Sequence, residues 1–316
     1  MIQSFYRSSA GIDVHNKVIV CTVIRQDEHG NKSKQTREFK TFHSELKVLA
    51  KWLKEQDVEV SAMESTGVLW KPLFEVLERF DVPAILCNAR HVKNVPGRKT
   101  DILDSEWLAD LALCGLLRAS FIPPRDFREL RLLTRYRMRI TGMLASEKNR
   151  LYKILDSCGI KLGAVVSDID GVSARRMIEA LVRNDMQPKD VAKMGLGSLR
   201  HKKRELRLSL EGTLSDRHRF LLTQIHTHMD NLEKSIAEID SQVVMAMKPY
   251  EKEWQLIQTI PGFDEISAAM LLAEIGVDMS RFGNKDRLSS WAGMSPGNHE
   301  SAGKKSPEKP PRETST

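Results

Sequence analysis

The chain has 316 residues, with 49 Lys and Arg against 42 Asp and Glu, a net charge of +7 and a pI near 9.2. That length accommodates two domains with substantial cores, and the basic balance points to a polyanionic partner. No apolar run reaches bilayer length, and Met1-Ile2-Gln3-Ser4-Phe5 lacks a signal peptide's apolar core, so no membrane partner is expected and a cytoplasmic protein is. Cys21, Cys87, Cys114 and Cys158 match no metal spacing and read as reduced thiols.

Ser8 to Asp13 reads as a short strand ending in an acid, with Val14-His15-Asn16-Lys17 as the turn after it. Val18 to Ile24 is rich in β-branched residues and reads as a buried strand, and Asp27 to Asn31 supplies the next turn. Lys34 to Phe39 extends the meander. From Ser44 the pattern becomes helical through Leu46, Leu49, Trp52 and Leu53. Val58, Val60 and Ala62 alternate as a strand that delivers Glu64; a helix through Leu69, Leu73, Val76 and Leu77 follows, then a strand from Pro83 to Cys87. Thr100 is the expected N-cap of a helix running to Leu117, on which Asp101 and Asp104 share a face near the positive end.

This order is an α/β layout, in which chemistry collects at strand ends and helix starts. Four acids stand at such places: Asp13, Glu64, Asp101 and Asp104. Taken singly each is an ordinary solvated acid. Two carboxylates as close as Asp101 and Asp104 repel unless a cation or a proton sits between them. Hard oxygen ligands in an open cluster suit magnesium, which can activate a nucleophile and neutralise a leaving oxygen in phosphoryl transfer.

Pro123-Pro124 marks a boundary. Beyond it Phe127, Leu130, Leu133, Ile140, Leu144, Leu151 and Leu155 predict a long helix suited to a coiled coil, with nine Lys or Arg against four Asp or Glu between Arg125 and Ile160. Arg128, Arg131, Arg135, Arg139 and Lys148 could lie along nucleic-acid phosphates; a solvated helix surface is the alternative. Shorter helices broken by Gly171 and Pro188 lead to the basic run Arg200-His201-Lys202-Lys203-Arg204. From Ser215 to about Met247 a second long helix can pair with the first, and His218, His226 and His228 read as polar-face residues because their spacing is not that of a helical zinc site. Ile257 to Asp264 precedes an apolar helix closed by Gly276 and resembles a helix-hairpin-helix, whose Pro261-Gly262 turn exposes backbone N–H groups to a DNA phosphate.

Gly11-Ile12-Asp13, Glu64-Ser65-Thr66-Gly67 and Lys99-Thr100-Asp101-Ile102-Leu103-Asp104, followed by Leu108-Ala109, resemble the three motifs of the DEDD transposases of the insertion-sequence one-ten family. Arg281-Phe282, Leu288, Trp291 to Pro296 and Glu300 to Lys304 are similar to that family's second domain. The resemblance implies an α/β RNase H-like (resolvase-like) domain over 1–120, a basic helical, coiled-coil linker over 121–250, and a small α-helical, helix-hairpin-helix-like serine domain over 251–305. It implies that Asp13, Glu64, Asp101 and Asp104 hold Mg2+ and that Ser301 attacks a DNA phosphodiester to give a phosphoserine, with Ser295 and Ser306 as fallback nucleophiles. The acids would come from another protomer of a homo-oligomer. Lys99, Lys202, Lys203 and Gly262 would join the helix cations in contacting nucleic acid: DNA and an element-encoded guide RNA, in a nucleoid-associated protein.

Two other readings fit the sequence. A catalytically inactive, truncated nucleic-acid-binding remnant would keep the fold and the basic helix. Gly11-Ile12-Asp13 also resembles the opening of sugar kinases and actin-like ATPases, although no glycine-rich phosphate loop accompanies it. Beyond Lys305 the resemblance is expected to end. Residues 306–316 carry no core pattern and read as a disordered tail. Their possible codons, read two nucleotides later, spell Ser-Gly-Lys-Thr-Pro-Lys-Gly-Asn-Lys-Tyr, which resembles the family's continuation, so a frameshifted tail and an incomplete serine domain are expected.

Overall fold

The computed structural model describes residues 5–65, 67–89, 92, 103–294, 300–301 and 304–305. The chain divides between Ile122 and Pro123 into two compact units. No further division falls at residue 250: Phe127, Leu130, Val243, Met247, Trp254, Ala268 and Leu272 form one buried cluster that joins the expected linker to the segment after it.

The first unit is built on strands β1 (Ser8–Val14), β2 (Val18–Gln26), β3 (Lys32–Lys40), β4 (Val60–Glu64) and β5 (Ala84–Cys87). Their order in the sheet is β3-β2-β1-β4-β5. β1 pairs antiparallel with β2, and β2 with β3, whereas β4 runs parallel to both β1 and β5. Parallel neighbours need crossover connections, and helices α1 (His43–Glu55) and α2 (Trp70–Arg79) provide them. This is the expected α/β, RNase H-like arrangement.

Alternation along the strands sorts the two faces. Ala10, Ile12, Val14, Met63 and Leu86 bury against Leu46, Leu49 and Leu53 of α1 and Leu73, Val76 and Leu77 of α2. Each such leucine or isoleucine stabilises the fold by roughly 1.5–3 kcal/mol relative to exposure. The other face is covered by helix α3 (Asp104–Leu113), through Leu108, Ala109, Leu111 and Ala112.

Helix α3 is shorter at both ends than its apolar spacing predicts. It opens at Asp104 with Leu103 as N-cap, not after Thr100, and Asp104 and Glu106 put carboxylates in the first turn, where the helix dipole favours them. It closes at Leu113, because Gly115 adopts φ +66° and carries the chain out of the helical path before Leu117.

The second unit is dominated by α4 (Arg125–Ser157) and α8 (Asp216–Met247). They run antiparallel, since Arg137 pairs with Asp240 whereas Glu147, further along α4, faces His228. Ile140, Leu144, Leu151 and Leu155 of α4 and Leu222, Ile225, Met229 and Leu232 of α8 form the seam, and the short helices α5 (Val172–Arg183), α6 (Pro188–Val191) and α7 (Lys203–Ser209) close over it. At the start of α8, Ser215 and His218 cap each other reciprocally. Helices α9 (Glu251–Gln258), α10 (Glu265–Ile275) and α11 (Lys285–Trp291) follow, with a two-stranded pairing of β6 (Glu300–Ser301) and β7 (Lys304–Lys305). No described helix is long and apolar enough to cross a membrane.

Candidate active site

Asp13 and Glu64 follow from strand register. Ile12 pairs with Met63 in the parallel β1–β4 ladder, so the next residues, Asp13 and Glu64, lie side by side at its carboxyl end. In-register parallel neighbours are about 4.8 Å apart and point to the same face. That face is the one under α3. Ser9, two positions from Gly11 and four from Asp13, donates its hydroxyl to the Ala109 carbonyl of α3 at 2.8 Å, and Cys87, which pairs with Glu64, packs on Leu108 and Leu111. The Cys87 thiol is pushed up to about 11, first by burial and then by the charge on Glu64.

Asp104 is brought to the same edge by the direction of α3. The carbonyl of Ser105 lies over Gly11 and that of Ala109 over Ser9, so the helix runs antiparallel to β1 and its first residue stands at the strand's carboxyl end. Gly11 makes this approach possible. A Cβ there would meet the Ser105 carbonyl oxygen at 2.0 Å and the Ala109 nitrogen at 2.3 Å, distances that no side chain tolerates. A buried chain of hydroxyls locks the contact: Thr22 Oγ1 lies 2.8 Å from Ser105 Oγ and 2.9 Å from Thr36 Oγ1, and Thr22 and Ser105 are fully buried. Ser105, the residue after Asp104, is thus held to both β1 and β2, one peptide away from the carboxylate.

The carboxylates differ in their surroundings. Asp13 is half-buried and its Oδ2 lies 2.9 Å from His15 Nε2; Glu64 is half-buried and Asp104 exposed. Oxygen donors of this kind fit a hard divalent cation by their chemistry. Among the described residues no group of three His, Cys, Asp or Glu side chains closes up tightly enough to hold one. Asp101, the fourth expected acid, lies outside the described residues, as do Lys99, Thr100, Ser295 and Ser306. Ser301 falls on β6, paired with Lys304.

The cations expected along nucleic acid fall into two groups. Arg131 donates to the carbonyls of Ala273 and Glu274 at 2.9 and 2.6 Å, Arg135 grips both carboxylate oxygens of Glu274 at 2.9 and 3.0 Å, and Lys148 lies 2.7 Å from Asp170. Arg128 donates to the Pro123 carbonyl at 2.9 Å. These four hold the helical unit together. Arg139, Lys202 and Lys203 are exposed, and Arg139 lines an open groove of ≈ 560 Å³ with Ser146, Arg150 and His228. Gly262 sits in the α9–α10 turn with φ +95° and open space where a Cβ would be.

Sequence patterns left several contributors unmarked. His15 reads as a turn residue but touches Asp13, and Ser9, Thr22 and Ser105 read as ordinary strand and helix residues. Their signal is weak: small residues at Ser9 and Gly11, alternating toward Asp13, are what a strand needs where a helix backbone must come close. Of the three histidines on α8, His226 departs from a polar-face position. It is half-buried, and its Nε2 has no partner among the described residues.

Residues 10–160 match a family model described as a transposase, of the IS110 type, and residues 254–314 match one described as "Transposase IS116/IS110/IS902 family". The second match runs to residue 314, past Lys305, where the motif resemblance was expected to end. Among solved structures, Thermus thermophilus RuvC is similar at 13% identity over 36% of this chain and 99% of that chain, with a TM-score of 0.28. The same protein in complex with a Holliday junction substrate gives the same identity and TM-score over 100% of its length. An Aquifex aeolicus member of the Ppx/GppA family is similar at 14% identity over 73% of this chain and 90% of that chain, with a TM-score of 0.21. No curated protein matches the chain closely.

Proposed function

Since the chain belongs to the IS110 family of insertion-sequence transposases, DNA-processing enzymes, we propose that it cuts and rejoins DNA with Asp13, Glu64, Asp101 and Asp104 as its acidic cluster and Ser301 as its nucleophile. One observation carries the acidic half: α3 is seated antiparallel on β1, which sends Asp104 to the edge where Asp13 and Glu64 end their strands. Three carboxylates from three elements on one edge offer a hard divalent cation the oxygen donors it prefers.

A magnesium ion held by these acids would supply positive charge to the phosphate oxygens and the leaving oxygen. The chain's own groups do the rest. The carboxylates fix where a phosphodiester can sit, and the clamp on Ser105 keeps Asp104 from drifting. The Ser301 oxygen bonds to phosphorus as its proton passes to solvent, and the bond from phosphorus to a deoxyribose oxygen breaks. The resulting sugar hydroxyl can reverse the step on another strand, which is rejoining. DNA is the partner in this reading, an element-encoded guide RNA selects the site, and the acids and the serine that act together belong to different protomers of a homo-oligomer.

The test is metal-dependent cleavage of DNA carrying the element's ends, with its RNA present. Asp104→Asn should lower cleavage by at least about a hundredfold without moving the melting temperature. Ser301→Ala should abolish the covalent protein–DNA adduct seen on denaturing gels. A parent chain that binds DNA and forms neither product nor adduct with magnesium would identify a binding remnant instead.

A further inference from the structure

We infer that Arg118, with Ser120, forms an anion seat that holds a DNA backbone phosphate next to the one at the acidic edge. The choice of ligand rests on the proposed reading of that edge; the seat itself rests on the following geometry.

After α3 the chain returns alongside β5. Ala119 bridges antiparallel to Cys87, and the Ser120 N–H donates to the Leu86 carbonyl at 2.6 Å. Cys87 is the partner of Glu64 in the β4–β5 ladder, so the segment 118–120 lies one strand spacing beyond β5 and two beyond β4. That puts it roughly 10 Å from the Glu64 backbone, at the same carboxyl-end edge of the sheet. There Asn88, Arg118, Ala119 and Ser120 line a cavity of ≈ 340 Å³. Its described lining offers a guanidinium and a hydroxyl, and none of the described lining residues carries a carboxylate.

Arg118 stands apart from the arginines of this chain that are engaged internally. Arg37 covers the Trp52 ring, Arg131 and Arg135 hold the end of α10, Arg137 holds Asp240, and Arg175 holds Asp170. Arg118 is exposed and has no hydrogen-bond or ion-pair partner among the described residues. An exposed guanidinium with no partner among the described residues, lining a cavity, is suited to bidentate phosphate binding, because its planar fork matches two phosphate oxygens. A DNA strand whose reacting phosphate lies at Asp13 and Glu64 and that runs on toward β5 would cross this segment, where Arg118 would hold it in register.

The experiment compares Arg118→Gln and Arg118→Lys in the full chain carrying Asp104→Asn, so that binding is read without cutting. The probe is a fluorescein-labelled DNA duplex with a single-stranded extension, followed by anisotropy over a salt series. Arg118→Gln should weaken binding several-fold and flatten the slope of log affinity against log salt by about 0.7–0.9, one phosphate contact. Arg118→Lys should keep the slope while losing part of the affinity. Circular dichroism confirms that both variants are folded. A folded Arg118→Gln chain with the parent's affinity and slope overturns the seat, whatever the parent does in the cleavage assay. A parent chain without cleavage, combined with the slope change, removes the catalytic reading and leaves the phosphate seat standing.

Discussion

In the α/β unit, the acids of interest stand at a sheet edge and their positions follow from backbone geometry: strand register for Asp13 and Glu64, a helix backbone lying on a glycine for Asp104. In the helical unit, side chains of the same general kind serve cohesion. Arg137 binds Asp240, Arg135 binds Glu274, and Arg175 reaches Asp170, Asp230 and Glu233 at once. The difference teaches that an excess of cations on a long helix does not by itself describe a binding surface. What matters is which charges the fold has left without an internal partner.

The contrast can be broken most sharply at Gly11. Gly11→Ala drives a Cβ into the backbone of α3, which cannot rotate away, and should destabilise the α/β unit by about 3 kcal/mol or more. Scanning calorimetry should show that transition moving by several degrees; an unchanged transition would mean that α3 is not seated as described. Arg175→Met tests the other unit. Asp170, only 4% exposed, would keep Lys148 but lose its closest partner, at a cost of about 3 kcal/mol. Lys202→Gln, at an exposed position, should stay within about 0.5 kcal/mol of the parent; equal losses for the two would erase the distinction between cohesive and free cations.

Thr22→Val and Ser105→Ala sharpen the comparison on a smaller scale. Thr22→Val leaves the buried Ser105 hydroxyl without its partner and should cost about 1–2 kcal/mol; Ser105→Ala leaves Thr22 bonded to Thr36 alone and should cost about 1 kcal/mol, and the double variant should cost less than the sum by about 1 kcal/mol. Strict additivity would argue against a coupled clamp. The smallest effect belongs to His226, whose pKa lies below the ordinary 6.5 because it is buried and then because Arg175 is near. Between its unfolded and folded pKa values the unfolded chain binds more protons, so this contribution to stability is complete above about pH 6.5 and falls as the pH drops. His226→Gln should make the decline of melting temperature from about pH 7 to pH 5 shallower; an identical decline would show that the imidazole titrates normally.

Much of the first unit was legible because its strands are short, β-branched and bounded by turns, and because Asp13 and Glu64 follow directly on apolar runs. The start of α3 was not. Thr100 carries the stronger capping signal, yet the helix opens after Leu103, whose side chain makes no cap bond, because packing on Ser9, Gly11 and Thr22 outweighs a local preference. The fates of Arg131, Arg135 and Lys148 were also hidden. Whether an arginine faces solvent or a carboxylate 139 residues away, as Arg135 does, is decided by tertiary contacts that helical spacing does not encode. Arg118 is hidden for the opposite reason, since it sits in a short stretch without periodicity.

The meeting of α3 with β1 has a consequence for how this protein can change over time. Most helix–sheet distances are set by the bulk of the side chains between them and shift whenever the core is repacked. Here main chain lies against main chain at Gly11, with no side chain as a spacer. Drift among the leucines of α1 and α2 on the opposite face can therefore proceed without altering the separation of Asp104 from Asp13. The geometry of the acidic edge is insulated from the hydrophobic core, and the chain can accumulate neutral variation there while one glycine stays fixed.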